Sequence, residues 1–202
     1  RRHLKPGGLF YISYNVTPGW SAATPLRHIL TQHAERMGSG QIGAKIESSL
    51  NFTERLIDAG ALYFQANPGV SERFKKLKDQ THNYLAHEFF NSDWQPMPFS
   101  ETAGLLKEAK LEFAASAHLL DSVDSIHLSA SAQSLLNEIS DPVFKQTVRD
   151  YFVNQQFRRD VFVKGARRVP ALEQNYIFQS QGFVLQVPLE DCPKKVAGAL
   201  GE

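Results

Sequence analysis

Cysteine is almost missing from this chain. Cys192 is the one thiol in 202 residues. No internal disulfide can form, so the fold must hold by burial and hydrogen bonding, which suits a reducing compartment. No nucleophilic triad can be assembled around that single residue in its Pro-flanked polar tail. A dominant sign of charge is missing too. The 22 Lys and Arg are balanced by 21 Asp and Glu, for a formal net charge of +1. Such a balance creates no global field to recruit nucleic acid or a membrane surface, so neither is expected as a partner. No apolar run approaches the roughly 20 residues that span a bilayer. No signal peptide, internal repeat or low-complexity stretch is visible. A cytoplasmic location is the expectation.

What is present is a chain rich in Phe, with 14 of them, enough to pack a real interior. The opening residues Arg1 to Asn15 read as a helix end, a tight turn at Pro6-Gly7-Gly8, and a buried strand from Leu9. Pro25 then marks the first turn of a helix capped by Thr24 and closed by Gly38. The apolar period predicts a second helix over 41–65, ended by Asn67-Pro68-Gly69, and a third from Ser71 through Leu85. Pro96 and Pro98 force a loop. Ser100 is placed as the cap of a short helix that buries Leu105 and Leu106. A strand over 111–117 follows, then helices over 131–139 and 142–154, the latter capped by Asp141 with Pro142 in its first turn. Residues 159–164 alternate as a strand and stop at Gly165. Phe183 to Val187 is a further strand candidate.

Three segments carry a family resemblance. "LKPGGLFYISYNVTPGW" (Leu4–Trp20) resembles the fifth-strand region of class I S-adenosylmethionine-dependent methyltransferases. "HNYLAHEFFNSDWQPM" (His82–Met97) and "FRRDVFVKG" (Phe157–Gly165) follow it in the order seen in those members that carry a methyltransferase regulatory domain. The resemblance covers about residues 4 to 165. It implies an α/β fold, mostly helical, with the last strands of a Rossmann-like methyltransferase sheet and a helical insertion. In that family the last strand runs antiparallel between the two before it. The implied domains are 1–19 with 100–165 as the C-terminal part of the sheet (helical insertion 118–158), 20–99 as the helical regulatory domain, and 166–202 as the start of a C-terminal extension.

The same resemblance implies S-adenosylmethionine as cofactor of the full-length enzyme. The family's Gly-rich cofactor loop belongs upstream of residue 1. The expectation is therefore the back part of a longer methyltransferase, with its partner the N-terminal half. The methyl acceptor is left unidentified, and no cofactor is expected to bind this chain alone. A second reading is a non-catalytic interaction module that forms a homodimer through the unpaired edge of its first strand.

Candidate residues follow from position. Tyr14 and Asn15 end the first strand, where open α/β sheets place their ligands, and are read as acceptor-side residues; the plainer reading is that Asn15 terminates the strand. Tyr84, His87 and Glu88 share one helical face at spacings of three and four. They either face the cleft as substrate-side residues or bond their helix to a neighbour. His82 and His87 are about 500° apart round a helix, and the second His of H-E-x-x-H is missing after His87-Glu88, so no metal is expected. Gly38-Ser39-Gly40-Gln41-Ile42-Gly43 matches G-x-G-x-x-G in letters but follows a helix, so it reads as a turn between helices. Arg158, Arg159, Lys164, Arg167 and Arg168 are read as a solvated basic surface or a docking patch for an acidic partner. On the strand, Arg158, Asp160 and Phe162 share one face.

Overall fold

The computed structural model describes residues 3–167, 169–196 and 198–199. It divides into two compact units, one of residues 17–96 and one built from 1–16 with 97–202.

The unit 17–96 is helical. A single 3-10 turn, Ser21–Ala23, leads into α1, Thr24–Arg36. Pro25 sits in the first turn as expected, but Ala23 is the cap; Thr24 is already helical and donates its hydroxyl to the Trp20 carbonyl at 3.0 Å. The single helix read over 41–65 is two, α2 (Ile42–Asp58) and α3 (Leu62–Ala66). Gly60 parts them with φ of +82°, a left-handed conformation that ends a helix. The helix read from Ser71 to Leu85 is likewise two, α4 (Pro68–Lys78) and α5 (His82–Glu88). Thr81 caps α5 by accepting the Tyr84 N–H at 3.2 Å. Leu26, Leu30, Ile46, Leu50, Phe74 and Leu85 form the heart of this unit's core. Ile42 and Leu62, apolar positions within the helix read over 41–65, stay exposed.

The other unit holds the sheet. Its elements run β1 (Leu9–Asn15), α6 (Phe99–Glu108), β2 (Leu111–Ser116), α7 (Asp124–His127), α8 (Ala130–Asn137), α9 (Pro142–Phe152), β3 (Phe157–Lys164) and α10 (Ala171–Gln179). The strand order is β1-β3-β2, with β3 antiparallel to both neighbours. The last strand thus lies between the other two, as the resemblance implied. The Asp141 carboxylate accepts the Phe144 N–H at 2.6 Å and starts α9. Ser100 does not cap α6. Pro98 does, and Phe99 and Ala103 turn inward while Leu105 is exposed. Residues 183–187 form no strand, and Phe183 and Val184 are exposed. Lacking a partner strand, their alternation has nothing to pair with. α10 was not foreseen.

Register brings Tyr14 opposite Arg158, Ile12 opposite Asp160 and Phe10 opposite Phe162. Phe99 of α6 meets Phe113 of β2 with ring centroids 5.1 Å apart, and Phe113 meets Phe162 at 5.7 Å. These rings and Ala103 and Leu111 make the core under that sheet face. β1 is an outer strand, and among the described residues no strand pairs with its far edge.

Candidate functional site

The sheet's buried face carries charge where alternation suggested solvent. Arg158 is 6% exposed and Asp160 1%, so the solvated basic surface assigned to Arg158 is corrected. Its alternate neighbour Phe162, fully buried, shares that face and takes Arg158 inward with it. Each nitrogen of the Arg158 guanidinium donates a hydrogen bond. Nε donates to Asp160 Oδ2 at 2.8 Å, Nη1 to Asp150 Oδ1 at 2.5 Å, and Nη2 to Gln146 Oε1 at 3.1 Å. Its flat face lies 4.2 Å from the centroid of the Phe99 ring, a cation–π contact in a dry setting. Arg159, the next residue, is exposed on the opposite face.

Tyr14 enters this network from β1. Its hydroxyl donates to Asp160 Oδ2 at 2.8 Å. Burial, reinforced by the Asp160 charge, holds the Tyr14 pKa far above its ordinary value. The phenol therefore stays protonated, as a donor and a wall and not as a base. Asn15, beside it, gives its carbonyl to the Met97 N–H at 3.2 Å. Two carboxylates share one buried guanidinium, and Asp150 Oδ2 and Asp160 Oδ1 have no hydrogen-bond partner. Burial pushes the Asp150 carboxyl up to about 6, with the Asp160 charge adding to it and Arg158 opposing. Burial by itself would lower Arg158; the charges of Asp150 and Asp160 and the Asp160 hydrogen bond outweigh it and hold the guanidinium charged.

A cavity of about 310 Å³ adjoins the network at the carboxyl end of β2. Its walls include Ser116, Asp121, Arg149, Arg158 and Asp160. Arg149 of α9 pairs with Asp124 at 3.1 Å and donates to the Asp121 carbonyl. Position had singled out Tyr14; Arg158, Asp160 and Asp150 were missed as site residues. The signal for Arg158 and Asp160 was the Arg-x-Asp-x-Phe alternation.

Tyr84, His87 and Glu88 lie on α5 in the helical unit, all three exposed. Tyr14 and Asn15 belong to the sheet unit. The Gly38–Gly43 segment links α1 to α2, with Gly40 at φ +80°. Among the described residues no group of three or more His, Cys, Asp or Glu side chains is arranged to hold a metal ion. No helix among them is long and apolar enough to cross a membrane.

Residues 81–164 match the model of the family described as "Predicted methyltransferase regulatory domain". The matched stretch runs from the cap of α5 to the end of β3, so it contains Asp150, Arg158, Asp160 and every described wall of the 310 Å³ cavity. Tyr14 and Asn15 lie outside it. Over all its 202 residues the chain is 44% identical to the uncharacterized protein sll1526 of Synechocystis sp., covering 40% of that protein. Over 161 residues, 78% of the chain, it is 24% identical to the uncharacterized protein RP789 of Rickettsia prowazekii, covering 28% of it.

Among solved structures the fold resembles PKMT2 from Rickettsia typhi in complex with AdoHcy, with a TM-score of 0.60 and 21% identity over 80% of this chain and 31% of that one. A second PKMT2 structure from the same organism gives a TM-score of 0.57 at 19% identity, over 80% of this chain and 30% of that one. The chain thus spans 40% or less of the length of each of these proteins.

Proposed function

We propose that this chain is the regulatory and substrate-recognition part of an S-adenosylmethionine-dependent methyltransferase whose cofactor-binding half lies elsewhere in the whole protein. The observation that carries this reading is the sheet. A last strand runs antiparallel between two parallel ones, and the first strand offers an open outer edge for further strands. The match of residues 81–164 to a methyltransferase regulatory domain supports it, as does the likeness to PKMT2, whose structure holds AdoHcy. The residues of this chain do not by themselves fit a nucleoside cofactor. Among those described, no G-x-G turn joins a strand to a helix, and the Gly38–Gly43 segment joins two helices.

When bound, S-adenosylmethionine supplies a methyl group by in-line displacement. The part of this chain is to orient the acceptor. Tyr14 walls the acceptor side as a fixed hydroxyl held by Asp160, and Asn15 offers its amide at the strand end. Tyr84, His87 and Glu88 serve as substrate contacts on the exposed face of α5. The N-terminal half is the partner, and the working location is the cytoplasm.

Calorimetric titration of S-adenosylmethionine tests the division of labour. The expected result is binding by the whole protein and none by the 202-residue chain. Stoichiometric binding by the chain alone overturns it. A second reading, a homodimerising interaction module, is favoured by the open β1 edge and by Leu9 and Tyr11, exposed at 67% and 56%. Sedimentation distinguishes them: a stable dimer of the chain, lost on Tyr11→Lys, supports the module.

A further inference from the structure

In the helical unit a pocket of about 590 Å³ lies between the start of α1 and the loop before Pro96. Its walls include Thr17, Ser21, Arg27, His28 and Trp94, and among the described residues no carboxylate side chain lines it. The Arg27 guanidinium carbon stands 4.5 Å from the centroid of the Trp94 ring, and Trp94 packs edge-on against Trp20 with centroids 5.0 Å apart. One Arg27 Nη donates to the Asn91 carbonyl, which fixes the guanidinium over the ring. Two further donors of this pair are unsatisfied: Arg27 Nε and Trp94 Nε1 are both buried, and neither has an acceptor among the described residues.

Buried N–H groups in native proteins are nearly always paired, because leaving one unpaired forfeits its hydration. Here two orphans of the same kind, both donors, belong to side chains in contact at one pocket. Among the described residues no ion pair involves Arg27. Burial holds its pKa below the ordinary value, with only Glu35 opposing. A water molecule can accept from the two donors but brings no charge to offset the guanidinium. A group with two oxygens and a negative charge answers both needs, because a planar guanidinium edge suits carboxylate and phosphate oxygens.

We infer that this pocket binds an anionic oxygen group, carboxylate or phosphate, through Arg27 Nε and Trp94 Nε1, with the hydroxyls of Thr17 and Ser21 completing its shell. The group arrives either as a free small anion or on an acidic side chain of a polypeptide; the recognising chemistry is the same. Because Nε and Nε1 are closed to solvent, the Trp94 ring shifts slightly to admit it. The site is independent of cofactor binding.

The chain contains two tryptophans, Trp20 and Trp94, and they touch each other at this pocket, so intrinsic fluorescence reports on it directly. The probes are sodium acetate, inorganic phosphate, and a short Glu-containing peptide beside its Gln counterpart. Sodium chloride at matched ionic strength is the reference. A saturable change is expected with at least one anionic probe and with neither chloride nor the Gln peptide. Trp94→Phe keeps a ring under Arg27 but drops the N–H; it weakens binding by about tenfold, the loss of one good hydrogen bond, with Trp20 as the remaining reporter. Arg27→Lys, which keeps the charge but loses Nε, weakens it further. Saturation by acetate or phosphate at lower concentration than the peptide identifies a free anion, and the reverse order identifies an acidic side chain. No saturable response to any probe overturns the inference, as does an equal response to the Gln peptide or an affinity unchanged in both variants.

Discussion

Arg158 holds together a charge arrangement that would otherwise be costly. Asp150 and Asp160 are each 1% exposed, and the guanidinium between them, with the Tyr14 hydroxyl on Asp160, makes that burial tolerable. Arg158→Leu leaves two carboxylates buried without a counter-charge and is expected to cost roughly 3–5 kcal/mol. Urea denaturation checks this, and a loss below about 1 kcal/mol would mean the carboxylates escape to water. The Asp150 carboxyl, at about 6 when folded, lies above the roughly 3.9 of an unfolded chain. The folded protein therefore holds this proton more tightly, so the group lowers stability above about pH 6 and the penalty is relieved as pH falls toward 4. Thermal melts between pH 7 and 5 should show the native chain gaining stability relative to Asp150→Asn; parallel curves would refute the shift. Strand period had put Arg158, Asp160 and Phe162 on one face. Formal charge concealed that this face is buried, because period assigns a side chain to a face but does not say which face meets a helix.

One helix start was legible because a side-chain cap stands directly before a proline. Asp141 before Pro142 is such a signature, since its carboxylate replaces the acceptor that the Phe144 N–H lacks in the first turn. Asp141→Ala is expected to cost about 1 kcal/mol, read from the denaturation midpoint. Breaks within an unbroken apolar period were not legible. The period continues across Gly60 from Ile57 to Leu62, yet a positive φ at Gly60 turns the backbone. Thr81 hides as a cap inside the Ser71–Leu85 pattern for the same reason. α10 was missed because Tyr176 and Phe178 are both exposed, so no buried face imposes a period on its sequence. The strand read at 183–187 failed the other way, since alternation alone does not supply a pairing partner.

At the scale of the molecule, the helical unit is one continuous stretch, 17–96, with a core of its own. Expressed alone, that stretch should keep a cooperative helical melt by circular dichroism; a featureless spectrum would show that it depends on the sheet unit. The sheet unit is assembled from two separated stretches. Its order was legible through the resemblance, because three segments fell in the sequence order of known strands. The Arg27–Trp94 pocket was not, because its two key residues lie far apart in sequence. The central position of β3 also sets a timetable. Tyr14 and its partner Asp160 are 146 residues apart, and a ribosome adding about 5–20 residues per second needs roughly 7–30 s to cover that distance. β1 waits that long for β3, the strand that pairs with it among the described residues, while the helices encoded behind it can already fold. Until then the edge of Leu9–Asn15 that β3 later covers stays open to any chaperone that attends synthesis.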